Sequence, residues 1–168
     1  FFIWRTMGTV KRIMGIDPGL AHTGFGVIDF CAGKIKLVSY GVIETSAQDS
    51  HEIRLLSIYN RLEAVVKEFA PDEAELETLY FSRNSSSALA VAEAKGVATL
   101  CLAKLGIPVF MYTPNQIKNT VTGSASSDKD VVGRYVQILL NLNEVPHPDH
   151  AADALAGAIT HAHNYSHL

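Results

Sequence analysis

Runs of alternating and helically spaced apolar residues divide the chain into short strands and longer helices. Residues 10–17 (VKRIMGID) and 24–30 (GFGVIDF) are rich in Val, Ile and Phe and are separated by Pro18, Gly19 and polar residues, a pattern that predicts two strands joined by a turn. A third strand over 34–43 (KIKLVSYGVI) completes an antiparallel meander. From Ser50 to Phe69 the period lengthens: Ile53, Leu56, Leu62, Val65, Val66 and Phe69 recur at helical spacing, and Pro71 ends the run. A strand at 74–81 (AELETLYF) follows, then an Ala- and Leu-rich helix at 85–105 closed by Gly106, then a strand at 107–112 (IPVFMY). Helices at 114–122, 128–142 and 149–164 complete the pattern, with Pro146 and Pro148 in the loop before the last. The order βββαβαβααα predicts an α/β fold in which a mixed sheet carries helices on its faces.

The 168 residues suit one domain, since a chain of this size buries roughly 70% of its unfolded surface. We expect that domain to span 10–168. Residues 1–9 form an N-terminal extension or expression remnant without an assigned role, because FFIWRT is too short for a signal peptide and has no small-residue cleavage site. No uninterrupted apolar run approaches the ~20 residues that cross a bilayer. Cys31 and Cys101 stand far apart without a partnering pattern, so neither a disulfide framework nor a zinc site is expected, and a cytoplasmic setting fits. With 14 Lys and Arg against 17 Asp and Glu, the net charge of -3 excludes a protein that coats nucleic acid by bulk charge. A DNA-binding version of this chain must gather its basic residues on one face and group some acids around metal.

Three acidic clusters carry candidate chemistry. In Gly15-Ile16-Asp17-Pro18-Gly19 a carboxylate ends an apolar strand, where it is either a metal ligand or the acid of an Asx-turn. Glu77 lies inside the apolar strand, and period-2 alternation puts Glu75, Glu77 and Leu79 on one face with Leu76, Thr78 and Tyr80 on the other, making Glu75 a possible second acid. In the stretch DHAADALA, His150 and Asp153 are three apart on a helix and project from one face, so both can reach one metal. Asp149 is expected to cap that helix, and the Ser127–Asp130 stretch has the look of a capping box. Acids at a strand end, in a mid-sheet strand and on a C-terminal helix suit a two-metal nuclease, in which two Mg²⁺ about 3.5 to 4 Å apart stabilise the attacking and leaving oxygens of a phosphodiester displacement.

The stretches GIDPGLAHTGFGVID, PDEAELETLYFSRNSSSALAVAEAKGVA, IPVFMYTPNQIKNTVTGSASSDKDVV and HAADALAGAITHAH, in this order and spacing, resemble the RuvC family of Holliday junction resolvases over nearly all of 11–165. The resemblance implies a ribonuclease H-like, five-stranded sheet whose first three strands are antiparallel and whose fourth and fifth are parallel. It also implies a homodimer that nicks a four-way junction symmetrically, leaves 5'-phosphate and 3'-hydroxyl ends, and works with the RuvA and RuvB branch-migration proteins. Carried over by position, the catalytic metal ligands fall on Asp17, Glu77, His150 and Asp153, holding two Mg²⁺ for which Mn²⁺ can substitute. The third position is commonly aspartate in the family, so His150 is a departure that makes activity more dependent on pH. Lys118 and Lys129 match basic residues near the scissile strand. Tyr80 matches an aromatic that stacks on an unpaired base, with Arg83 and Asn84 beside it as further DNA contacts. The loop Gly123–Ser127 has fewer glycines than the family pattern, and Glu93 stands where glutamine is common.

Two rival readings belong to other classes. GIDPGLAHTG also has the look of the first phosphate loop of an actin-like ATPase or sugar kinase, although such proteins need a second large domain. A junction-binding module of the same fold with weakened catalysis is suggested by His150 and the altered loop.

Overall fold

In the computed structural model, residues 8–78 and 85–165 are described, without the side chain of Ser85. Strand β1 (Lys11–Asp17) is buried from Ile13 to Ile16, the continuous apolar run of a strand covered on both faces. It lies at the centre of the sheet, whose order is β3-β2-β1-β4-β5, with β2 (His22–Cys31), β3 (Lys34–Glu44), β4 (Glu73–Glu77) and β5 (Val109–Tyr112). The β1–β2 and β2–β3 pairs are antiparallel, while β1–β4 and β4–β5 are parallel. This is the mixed sheet that the element order predicts.

Helices α1 (His51–Phe69) and α2 (Ser85–Lys104) cover one face, and α3 (Pro114–Thr122), α4 (Lys129–Leu139) and α5 (Asp149–Asn164) cover the other. The two cores sort by strand parity. Met14, Ile16, Val27, Ala74 and Leu76 face α1 and α2, whereas Ile13 and Ile28 face α5. Asp17 therefore shares the α5 side with Ile13, and Glu77 shares it with Glu73 and Glu75.

Helix α5 is buried on nearly every side from Ala151 to Ala162, a stretch rich in alanine. The sheet yields as well. A Cβ at Gly15 would lie 1.8 Å from the Ala154 carbonyl oxygen, one at Gly24 2.0 Å from the His150 carbonyl oxygen, and one at Gly26 2.5 Å from Leu155. Three glycines on two adjacent strands thus let the backbone of α5 rest directly on the sheet.

Several boundaries differ from expectation. Strand β2 begins at His22, inside the predicted turn, because the antiparallel register continues to His22 opposite Glu44. Strand β4 ends at Glu77 rather than 81, and the facing expected for Leu79 and Tyr80 lies outside the described residues. In α1 the buried stripe is Ile58, Leu62 and Val66, while Ile53 and Leu56 are exposed. Helix α4 stops at Leu139, with Asn141 in the left-handed region at φ 52°. Pro148, not Asp149, occupies the N-cap of α5, and Asp149 is its first-turn acid. Asp128, not Ser127, caps α4 by accepting from the Val131 N–H, leaving Ser127 to bond Thr122. Ser86–Lys104 is long and apolar enough on average to cross a membrane, although Glu93 and Lys95 interrupt it and Ala94, Ala98, Cys101 and Leu102 pack into the core. Cys31 and Cys101 are both free and buried.

Candidate active site

Parity and register bring the predicted acids to one end of the sheet. Asp17 is the last residue of β1, and Glu77 is the last of β4, the next strand in the same direction. His150 and Asp153 sit in the first turns of α5, which Gly24 seats over the start of β2. Asp17, Glu77, His150 and Asp153 line one cavity of about 400 Å³ together with Lys118 of α3 and Lys129 of α4. All four expected ligand positions and both expected lysines therefore meet in one place, drawn from five elements.

Burial and neighbouring carboxylates together raise two acids of the cavity, Glu77 and Asp153. Burial, then the charges of Asp17 and Asp153, push Glu77 up to about 7. Burial also raises Asp153, against the opposing pull of Lys129. The protein's own cations occupy part of the site: Lys129 Nζ donates to Asp153 Oδ2 at 3.0 Å, and His150 Nδ1 lies 2.8 Å from Asp17 Oδ2. The hydrogen bond to Asp17 raises the His150 imidazole, partly offset by burial. Among the described residues, no three His, Cys, Asp or Glu side chains are arranged to hold an ion as they stand, because Asp17 and Asp153 are each turned toward a basic group. The donor set, three carboxylates and one imidazole, nevertheless suits a divalent cation, the carboxylate oxygens being the ligands a hard ion prefers.

Glu75 does not join this cavity. It is 1% exposed, and its Oε1 has no hydrogen-bond partner. Its other oxygen fills the space above Gly157, where a Cβ would come within 1.8 Å of it. Burial, followed by the charges of Glu77 and Asp17, holds it well above the ordinary carboxyl range. Glu93 is exposed on α2 and pairs with His51 at the start of α1. The serine-rich loop is closed by hydroxyls, with Thr122 Oγ1 2.7 Å from Ser127 Oγ and Ser124 Oγ 2.8 Å from Ser126 Oγ. Tyr80, Arg83 and Asn84 lie outside the described residues.

Two neighbours of the site were not anticipated from the sequence. Lys95 Nζ donates to the Glu77 carbonyl oxygen at 2.7 Å and is lowered by burial against the opposing charges of Glu75 and Glu77. Its signal was a lysine next to the buried Ala94 in the middle of a largely apolar helix. His22 stacks on His150. It lies two residues before Gly24, on the same face of β2.

The family model for crossover junction endodeoxyribonuclease RuvC matches residues 13–161. The chain belongs to the RuvC family. It is 48% identical over 155 residues to the crossover junction endodeoxyribonuclease RuvC of Treponema pallidum (strain Nichols), covering 92% of this chain and 79% of that protein. The solved Thermus thermophilus RuvC superposes with a TM-score of 0.84 at 34% identity, covering 93% of this chain and 96% of that one. T. thermophilus RuvC in complex with a Holliday junction substrate gives a TM-score of 0.86 at 35% identity, covering 92% and 94%. The ribonuclease H-like fold expected from the sequence is thus the RuvC fold, and the actin-like reading falls away because the match extends through α5.

Proposed function

We propose that this RuvC-family protein is a structure-specific endonuclease that resolves four-way DNA junctions by hydrolysing phosphodiester bonds with two Mg²⁺ per site, leaving 5'-phosphate and 3'-hydroxyl ends. The observation that carries the reading is the convergence of Asp17, Glu77, His150 and Asp153 with Lys118 and Lys129 on one cavity. Those four side chains would hold the metals, with Mn²⁺ as a substitute. Bound metal supplies Lewis-acid activation of water and neutralises charge building on the phosphate oxygens. Asp17 and Glu77 sit at the ends of adjacent strands and would orient the group they bind. Lys118 and Lys129 place the phosphate, and Lys129 exchanges Asp153 for the incoming backbone. Tyr80, Arg83 and Asn84 complete the proposed DNA contacts.

A homodimer suits symmetric nicking of two strands. Leu89 and Leu100 of α2, three helical turns apart on one side, are 57% and 63% exposed, an apolar stripe that a second copy would cover. RuvA and RuvB are the proposed delivering partners. Residues 10–168 are proposed as the single nuclease domain, with 1–9 outside it, and the cytoplasm as the compartment.

The test is Mg²⁺-dependent nicking of a four-way junction beside a linear duplex of the same sequence. Symmetric nicks confined to the junction support the proposal. Junction binding without nicks supports the catalytically weakened module that His150 suggests.

A further inference from the structure

The imidazoles of His22 and His150 are parallel within 8°, with ring centroids 5.4 Å apart. Both side chains are partly exposed, at 46% and 40%, and two such rings left to themselves sample several rotamers. Three contacts remove that freedom from His150. Its backbone is seated on Gly24, where no Cβ fits, and its Nδ1 is fixed by Asp17 at 2.8 Å. These leave the tilt of the ring plane, and the parallel ring of His22 lies against it. His22 is itself held from the neighbouring strand, because it pairs in register with Glu44 and its Nε2 lies 3.7 Å from the Glu44 carboxylate. The lone pair of a ligating imidazole lies in the plane of its ring, so control of that plane is control of where the second nitrogen points.

We propose that His22 is a positioning residue for His150, fixing by parallel stacking the ring plane in which His150 presents its remaining nitrogen to the metal cavity. This rests on the assignment of His150 as a ligand. The face of β2 is suited to that role, since His22 and Gly24, two residues apart, hold the ring and the backbone of one residue that is more than a hundred positions away in the chain. The aspartate commoner at this position would have no ring to orient, so the stack belongs with the histidine.

The test compares His22→Ala, which removes the stacking plane, with His22→Phe, which keeps it without a nitrogen. Mn²⁺ binding to the DNA-free protein, measured by calorimetry, is expected to weaken about 10-fold in His22→Ala, as for other groups that orient a ligating histidine, and to stay within about 3-fold of the parent in His22→Phe. Four-way-junction affinity is expected to be the same in both. In a His150→Asp background His22→Ala is expected to cost no further Mn²⁺ affinity. A His22→Phe variant as weak as His22→Ala overturns the proposal, as does a His22→Ala loss that persists in the His150→Asp background. If the parent protein takes up no Mn²⁺, the metal reading itself fails. The ring plane is still tested, because the His150 ring-proton resonances of the metal-free protein should shift in His22→Ala and hold in His22→Phe; unchanged resonances in both overturn the stack.

Discussion

His150 Nδ1 lies 2.8 Å from the Asp17 carboxylate across 133 positions of sequence, and this contact joins the last residue of a central strand to the first turn of the last helix. The histidine that departs from the common family pattern is thereby bound to the acid that begins it. The contact makes the end of β1 and the start of α5 one unit of the site, with His150 held from the Asp17 side.

Removing a carboxylate should separate chemistry from binding. Asp17→Asn and Glu77→Gln are each expected to lower junction cleavage by more than about 1,000-fold, equivalent to ~4 kcal/mol of transition-state stabilisation. Junction affinity by gel shift should change less than about 3-fold, because the phosphate-binding lysines remain. Undiminished cleavage in both variants would refute the assignment of the site.

The role of His150 shows in the pH profile. Its imidazole is raised by the bond to Asp17, so as pH falls it charges, holds Asp17 and withholds its nitrogen. The parent enzyme should therefore lose activity steeply on the acidic side. His150→Asp is expected to cleave with a flatter profile, and His150→Ala to lose at least about 10-fold. Identical profiles for the parent and His150→Asp would take the imidazole out of the mechanism.

Lys129 pairs with Asp153 at 3.0 Å and is expected to act on turnover more than on affinity. Lys129→Ala should reduce single-turnover cleavage by about 10- to 100-fold, or ~1.4–2.7 kcal/mol. The salt dependence of binding should change by no more than about one phosphate contact. A loss found only in salt-dependent affinity would restrict Lys129 to phosphate neutralisation.

Stability should report the same electrostatics. Glu77 is raised to about 7 by burial and by Asp17 and Asp153, so the folded protein keeps a proton that the unfolded chain releases in the ordinary carboxyl range. That penalty is absent below the ordinary range and complete above about pH 7. The raised His150 contributes stability that is present below the ordinary imidazole range and lost as pH climbs past it. Both effects weaken the metal-free protein as pH rises, so Mg²⁺ should raise Tm more at about pH 8 than at about pH 6. Glu77→Gln without metal should melt about 2 °C or more above the parent at pH 8, corresponding to ~1 kcal/mol. A parent more stable than Glu77→Gln under those conditions would contradict the repulsion argument.

The seat of α5 is tested at Gly15. A Cβ there would meet the Ala154 carbonyl oxygen at 1.8 Å, and Gly15→Ala is expected to cost about 3 kcal/mol or prevent folding. At Gly96 of α2 a Cβ meets nothing within 4 Å, so Gly96→Ala should be neutral or stabilise by up to ~1 kcal/mol. Chemical denaturation of the two variants distinguishes close docking from a general intolerance of side chains.

Local pattern determined the element order, the α/β class and the period-2 facing of Glu75 and Glu77, because side-chain periodicity is a property of each segment alone. The motif stretches carried the family, and with it Asp17, Glu77, His150 and Asp153 as a set. Only tertiary structure decided that Glu75 sinks over Gly157 while Glu77 reaches the cavity, since the two share a face and differ in what α5 places against each. It likewise decided that Asp128 and Pro148, rather than Ser127 and Asp149, stand at the helix caps, a difference of one residue set by how each loop enters its helix. The pairings His150–Asp17 and His22–His150 were beyond the reach of the sequence because each depends on how closely α5 settles on β1 and β2, a distance fixed by glycines whose purpose is visible only once the helix lies on them; the Lys129–Asp153 pair depends in turn on how α4 packs against α5.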